Sequence, residues 1–168
     1  MNKRILGIDP GSQITGIGIV DVNDNDNDNI KFVHSEIIDC RKITDLGSKL
    51  KKIFDCAAGI VEEYQPQVAI LEKIFFAVNA KTALLLGHAR GAVMASIQTK
   101  EIQIFEYSPK EIKLALIGEG GAHKFQINMM VKLLLNIKDK EISFDESDAL
   151  AAAICHINHH SWLSKLSR

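Results

Sequence analysis

The chain has few of the features that would place it outside the cell or in a membrane. Its three cysteines, Cys40, Cys56 and Cys155, are an odd set without metal-ligand spacing, which argues against a disulfide framework. The start, MNKRILG, has no hydrophobic core of a signal peptide, and a cytoplasmic protein with reduced thiols is expected. Apolar runs are short or broken by charge, so no segment has the length needed to span a bilayer. Excess charge is also missing: 20 basic against 21 acidic residues give a net charge of -1, which supplies no global electrostatic argument for a nucleic-acid partner. The acids are uneven, however, with Asp21, Asp24, Asp26 and Asp28 crowded into one segment; the rest carries 20 basic against 17 acidic residues. With 168 residues, 46% of them hydrophobic, the chain can bury one core, and residues 1–168 read as a single domain.

What is present begins with ILGIDPGSQITGIGIV, Ile5 to Val20. Two apolar runs flank a segment of Asp9, Pro10, Gly11, Ser12, Thr15 and Gly16, the pattern of a β-hairpin. Asp9 ends the first buried strand beside small residues that would let an anionic ligand or a metal approach the backbone. It is a candidate for chemistry, or equally the cap of its own turn. The tract VNDNDNDNI that follows lacks the glycine and closing glutamate of a calcium loop, and a solvated hairpin tip is expected. Ile30 to Ile38 resumes a strand, giving an antiparallel meander of three.

From Thr44 the period changes. Leu46, Leu50, Ile53, Phe54, Ala57, Ile60, Val61 and Tyr64 recur at three- and four-residue steps, an amphipathic helix that Pro66 stops. Val68 to Leu71 is a continuous apolar run of the kind buried on both faces of a sheet, and Glu72 ends it as Asp9 ends the first strand. Two strand-end acids in one small domain are candidates for a shared site. Lys73 to Val78 should be a loop, and its Phe75 and Phe76 offer one core residue and one exposed base-stacking group. Asn79 can cap a helix to about Gln98, along which Ala83, Gly87, Gly91 and Ala95 form a smooth ridge suited to close helix packing, within the chain or across a dimer. His88 and Arg90 lie off that ridge.

Ile102 to Phe105 reads as a fifth strand, and Ser108 with Pro109 as a helix start. GEGGAHK, Gly118 to Lys124, lacks the spacing and Lys-Ser/Thr pair of a P-loop; with Lys113 and Lys124 beside it, it is either a basic loop for phosphate or a plain linker before a short helix, Phe125 to Leu135. Asp145 and Asp148 then stand three apart, on one helix face, ahead of an alanine-rich helix. Packed against the strand ends, they would bring four carboxylates together, a cluster that repels itself unless divalent cations hold it. Cys155, His156, His159 and His160 scatter around the same helix, a poor register for zinc.

Taken in order, these elements resemble the bacterial RuvC family of Holliday-junction resolvases, from Ile5 to about His156. The blocks that carry the resemblance are GIDPGSQITGIG at Gly7 to Gly18, LEKIFFAVNAKTALLLGHARG at Leu71 to Gly91, YSPKEIK at Tyr107 to Lys113, GEGGAHKFQ at Gly118 to Gln126 and DESDALAAA at Asp145 to Ala153. The resemblance implies a ribonuclease H-like α/β fold: a five-stranded mixed sheet, its first three strands antiparallel, with helices on both faces. It implies an endonuclease that resolves four-way DNA junctions by paired, symmetric, metal-dependent cuts. Asp9, Glu72, Asp145 and Asp148 are then the catalytic acids, holding two Mg2+ ions with Mn2+ accepted, and Phe75 disturbs base stacking. Lys113 and Lys124 serve the DNA near the cut, with Lys81 and Arg90 as further candidate DNA contacts. Two symmetric cuts call for a homodimer, and a branch-migration motor complex is an expected partner. Val78 and His88 depart from the family pattern, where lysine and glutamine are common; Lys73 and Lys81 are near enough in sequence to replace the charge.

Three other readings compete. Actin-like ATPases share the fold and the first hairpin but close two such domains around a nucleotide. A ribonuclease-H-like enzyme for structured RNA would share the acids with less need of Phe75. A junction-binding protein without cleavage would not need all four acids.

Overall fold

The computed structural model describes residues 2–23, 26–73 and 79–166. Ten elements follow one another: β1 (Asn2–Asp9), β2 (Ile14–Asn23), β3 (Asp26–Asp39), α1 (Leu46–Tyr64), β4 (Val68–Glu72), α2 (Ala80–Gln98), β5 (Gln103–Tyr107), α3 (Pro109–Ile117), α4 (Lys124–Leu134) and α5 (Phe144–Leu166). The strands form one sheet in the order β3-β2-β1-β4-β5. β1 to β3 are antiparallel, while β4 runs parallel to both β1 and β5. This is the mixed five-stranded sheet expected from the sequence. The acidic tract extends the strands further than expected, with β2 reaching Asn23 and β3 resuming at Asp26; Asp24 and Asn25 between them lie outside the described residues.

Alternation along the strands divides the core in two. Leu6, Ile8, Ala69 and Leu71 point to one face and pack with Ile53, Ala57, Val93 and Ile97 of α1 and α2. Ile5, Val68 and Ile70 point to the other, against Ile112 of α3, Val131 of α4 and the run Leu150 to Cys155 of α5. Helices therefore cover both faces.

The helix starts follow local chemistry. Asp45 accepts from the Ser48 amide at 2.7 Å and caps α1, so the periodic pattern read from Thr44 becomes helix at Leu46. Ser108 and Glu111 form a capping box around Pro109, which satisfies amides that a helix start leaves without partners. The chain leaves α3 through Gly118 at a φ of 81°, a left-handed cap that glycine adopts without steric cost.

Candidate active site

The sheet register sets Asp9 and Glu72 side by side. Ile5 to Ile8 pair in parallel with Val68 to Leu71, so the next residue on each strand is a carboxylate at the same level. Asp9 shares the parity of Ile5, and Glu72 that of Val68 and Ile70, so both acids emerge on the face covered by α5.

Glycines bring α5 to them. A Cβ on Gly7 would sit 1.9 Å from the Ala149 carbonyl oxygen, one on Gly16 2.0 Å from that of Asp145, and one on Gly18 2.6 Å from the Leu150 side chain. The helix thus rests on the bare backbone of the β1–β2 hairpin, with Ala149, Ala152 and Ala153 buried. This revises the role given to the hairpin's small residues: Gly16 makes room for the helix that carries Asp145, not for a ligand. The turn is fastened by buried Thr15, whose Oγ1 donates to the Gly11 carbonyl at 2.9 Å and accepts from the Gly11 amide at 3.2 Å. Among the described residues, the Asp9 carboxylate takes no part in capping its turn.

The start of α5 is anchored by groups that the sequence reading passed over. Ser143 and Glu146 form a capping box, with the Ser143 amide donating to Glu146 Oε2 at 2.8 Å and the Glu146 amide to Ser143 Oγ at 3.2 Å. Glu146 Oε1 also accepts from Ser35 Oγ of β3 at 2.8 Å, and Lys140 Nζ donates to Ser35 Oγ and to the Ser35 carbonyl, both at 2.9 Å. These bonds fix the turn of helix between Asp145 and Asp148. The Ser-x-x-Glu spacing at Ser143 was a legible signal for the cap; the reach to Ser35 was not.

A cleft of about 220 Å³ opens where these elements meet, lined by Asp9, Glu72, Asp148, Lys113, Lys124, Pro109, Ile112 and Ile127. Burial raises the pKa of Asp9 from 3.8 to about 7, helped by the charges of Glu72, Asp148 and Asp145 and opposed by Lys124. Burial also raises Glu72 and Asp148, with Lys124 pulling both back down. Lys124 Nζ stands 3.3 Å from Asp148 Oδ2, and that carboxylate raises the lysine's own pKa. Asp145 does not line the cleft, yet its charge reaches Asp9, Asp148 and Lys124.

Among the described residues, no three carboxylate, imidazole or thiol groups stand close enough to grip one metal ion as placed. Their chemistry nevertheless fits a hard cation. Three partly buried carboxylates, all raised in pKa, line a cleft with two lysines, and oxygen donors suit Mg2+ or Mn2+.

The other expected contacts fall in different places. Lys113 lies in the cleft. Lys81 is exposed in the first turn of α2, its amide capped by Asn79 at 2.8 Å. Arg90 is nearly buried, donates to the Glu72 backbone carbonyl at 2.6 Å and pairs with Glu106. Phe75, Phe76 and Val78 lie outside the described residues. His156 bonds Tyr107 through Nδ1 at 2.9 Å, and His159 stacks on the same tyrosine.

The arrangement of acids on strand ends and a closing helix can be set beside known proteins. The family model for crossover junction endodeoxyribonuclease RuvC matches residues 5–156. The chain belongs to the RuvC family. A RuvC from Xanthomonas campestris is 42% identical over 163 residues, 97% of this chain and 92% of its own. One from Hydrogenovibrio crunogenus is 42% identical over 154 residues, 92% of this chain and 87% of its own. In three dimensions the chain resembles Thermus thermophilus RuvC in complex with Holliday junction substrate, with a TM-score of 0.88 at 25% identity, covering 96% of this chain and 97% of that one. The RuvC family is one of divalent-metal-dependent nucleases, and the ribonuclease H-like fold follows from the same likeness. No described helix is long and apolar enough to cross a membrane.

Proposed function

We propose that residues 1–168 act as one nuclease domain in which Asp9, Glu72, Asp145 and Asp148 hold the metal for resolving four-way DNA junctions. Membership of the RuvC family carries the reaction type, crossover junction endodeoxyribonuclease. The observation that supports these four acids is the register of β1 and β4, which delivers Asp9 and Glu72 abreast into a cleft with Asp148 and two lysines. When bound, Mg2+ or Mn2+, two ions to a site, supplies Lewis acidity for attack of water on a phosphodiester.

The protein's own groups do the rest. With its pKa raised to about 7, Asp9 is largely protonated below neutral pH while no cation is near, which limits repulsion among the acids. Lys113 and Lys124 present ammonium groups at the cleft, and a phosphate entering it draws Lys124 from Asp148. The apolar wall of Ile112 and Ile127 lowers the water content around the reacting phosphate. Phe75 unstacks bases at the crossover, Lys81 adds positive charge along the DNA path, and a branch-migration motor complex delivers the junction.

One site per chain supplies one nick, so paired symmetric nicks call for a twofold dimer. The ridge on α2 supports this: Gly87 and Gly91 are exposed with open space above them, and Leu84 beside them is 61% exposed. A bulky residue at position 91 should lower the sedimentation mass at micromolar concentration; an unchanged mass would move the interface elsewhere.

The decisive experiment offers a mobile four-way junction, a linear duplex and an RNA–DNA hybrid, with Mg2+, with Mn2+ and with neither. Symmetric nicks in the junction alone, dependent on metal and absent in Asp9→Asn and Glu72→Gln, are expected. Cleavage by either variant would reduce the acids to structural groups, and preference for the hybrid would favour an RNA-directed enzyme.

A further inference from the structure

Arg90 projects from α2, on the face of the sheet opposite the acid cleft, yet its side chain is only 11% exposed and ends at the strand that carries Glu72. One guanidinium nitrogen donates to the Glu72 backbone carbonyl at 2.6 Å, and the other terminal nitrogen pairs with Glu106 of β5. Glu106 has the parity of Ile104, which faces the α1–α2 side, so a single planar group bridges β4 and β5 from behind. Burial lowers the Arg90 pKa, although a guanidinium stays charged throughout the working range. Beyond Glu72, the next described bond at this strand end is the Lys73 amide donating to the Tyr107 carbonyl at 2.7 Å.

We infer that Arg90 is a positioning residue: its guanidinium fixes the backbone of Glu72 from the far side of the sheet and so aims the Glu72 carboxylate into the cleft. The inference rests on Glu72 being a metal-holding acid. It also gives Arg90 a task other than touching DNA. The planar fork presents separate nitrogens to acceptors on two strands, a fixed geometry that a lysine's single ammonium nitrogen does not reproduce. Groups that orient a metal-holding residue in this way typically cost about 10- to 100-fold in metal affinity or activity when removed.

The test compares Arg90→Met, Arg90→Lys, Glu106→Gln and Glu72→Gln in the full-length protein. Mn2+ binding is read by the loss of its free-ion spin-resonance signal, junction binding is measured without metal, and kcat and KM are measured for cleavage. Arg90→Met should weaken Mn2+ binding and lower kcat, each by about tenfold or more, with KM and metal-free junction affinity within about twofold. Arg90→Lys should recover part of the loss, and Glu106→Gln should show a milder form of it. If Arg90→Met fails to fold, the lysine variant and Glu106→Gln carry the same comparison. Wild-type Mn2+ binding and kcat in the folded variants overturn the inference, whether or not their melting temperature drops, and so does weakened junction affinity with Mn2+ binding intact. Retained cleavage in Glu72→Gln would instead refute the four-acid reading on which the inference depends.

Discussion

Replacing Asp9 with asparagine tests the electrostatics of the cleft before any DNA is added. The change keeps the shape and removes one charge. In the folded chain the Asp9 carboxyl has its pKa raised from 3.8 to about 7, so between those values the native state binds more protons than the unfolded chain. Stability therefore falls as pH rises through that window and stays low above it. At about 1.4 kcal/mol per pH unit the full penalty is about 4 kcal/mol. Water at the cleft mouth and movement of Lys124 reduce what is realised, and a net gain of about 1 to 2 kcal/mol is expected for Asp9→Asn at about pH 8 in chelator. For a chain of this length that corresponds to a melting temperature higher by about 2 to 8 °C. The assay is thermal melting by circular dichroism from about pH 5 to 8, with and without Mg2+. The native protein should lose stability across the range in chelator and regain it with Mg2+; Asp9→Asn should be flatter in pH and respond less to the ion. An asparagine variant that melts lower at the alkaline end, with an unchanged pH slope, would refute the reasoning.

Other outcomes follow from the same geometry. Gly7→Ala places a Cβ 1.9 Å from the Ala149 carbonyl oxygen and should cost about 3 kcal/mol, read as a lower melting temperature together with lost cleavage. Glu146→Ala removes the α5 capping box and the bond to Ser35; a loss of about 1 to 2 kcal/mol by urea denaturation is expected. Lys124→Gln removes the charge that pulls Asp9, Glu72 and Asp148 down, so the acidic limb of the cleavage profile should move to higher pH. Phe75→Ala should leave melting unchanged and slow junction cleavage; a lower melting temperature with normal cleavage would make it a core residue.

The antiparallel β1 to β3, the mixed five-stranded sheet and the strand-end acids were legible because each rests on a local signal: apolar runs around a turn in β1 and β2, period three to four in α1, the breaks at Pro66 and Pro109. The seating of α5 was not. Its alanines and the hairpin glycines are each unremarkable in sequence, and only their meeting across more than a hundred residues shows that Gly7, Gly16 and Gly18 are there to be covered. Arg90 was named only as a candidate DNA contact for the same reason: a guanidinium's partners are set by the tertiary fold, and here they are a backbone carbonyl and a glutamate on neighbouring strands. The capping box at Ser143 was within reach, overshadowed by the two aspartates it flanks.

The glycine seat of α5 also joins parts of the proposed site that lie far apart along the chain. Asp9 and Glu72 are synthesised early, whereas Asp145 and Asp148 arrive on the helix that closes over them. Drawing those parts together means closing a loop of about 140 residues, and such long-range contacts form late. A chain that ends at β5 carries two of the acids but lacks α5 and Lys124. If the four acids hold the metal as proposed, cutting requires α5 seated on the hairpin, and loosening of that seat should abolish it.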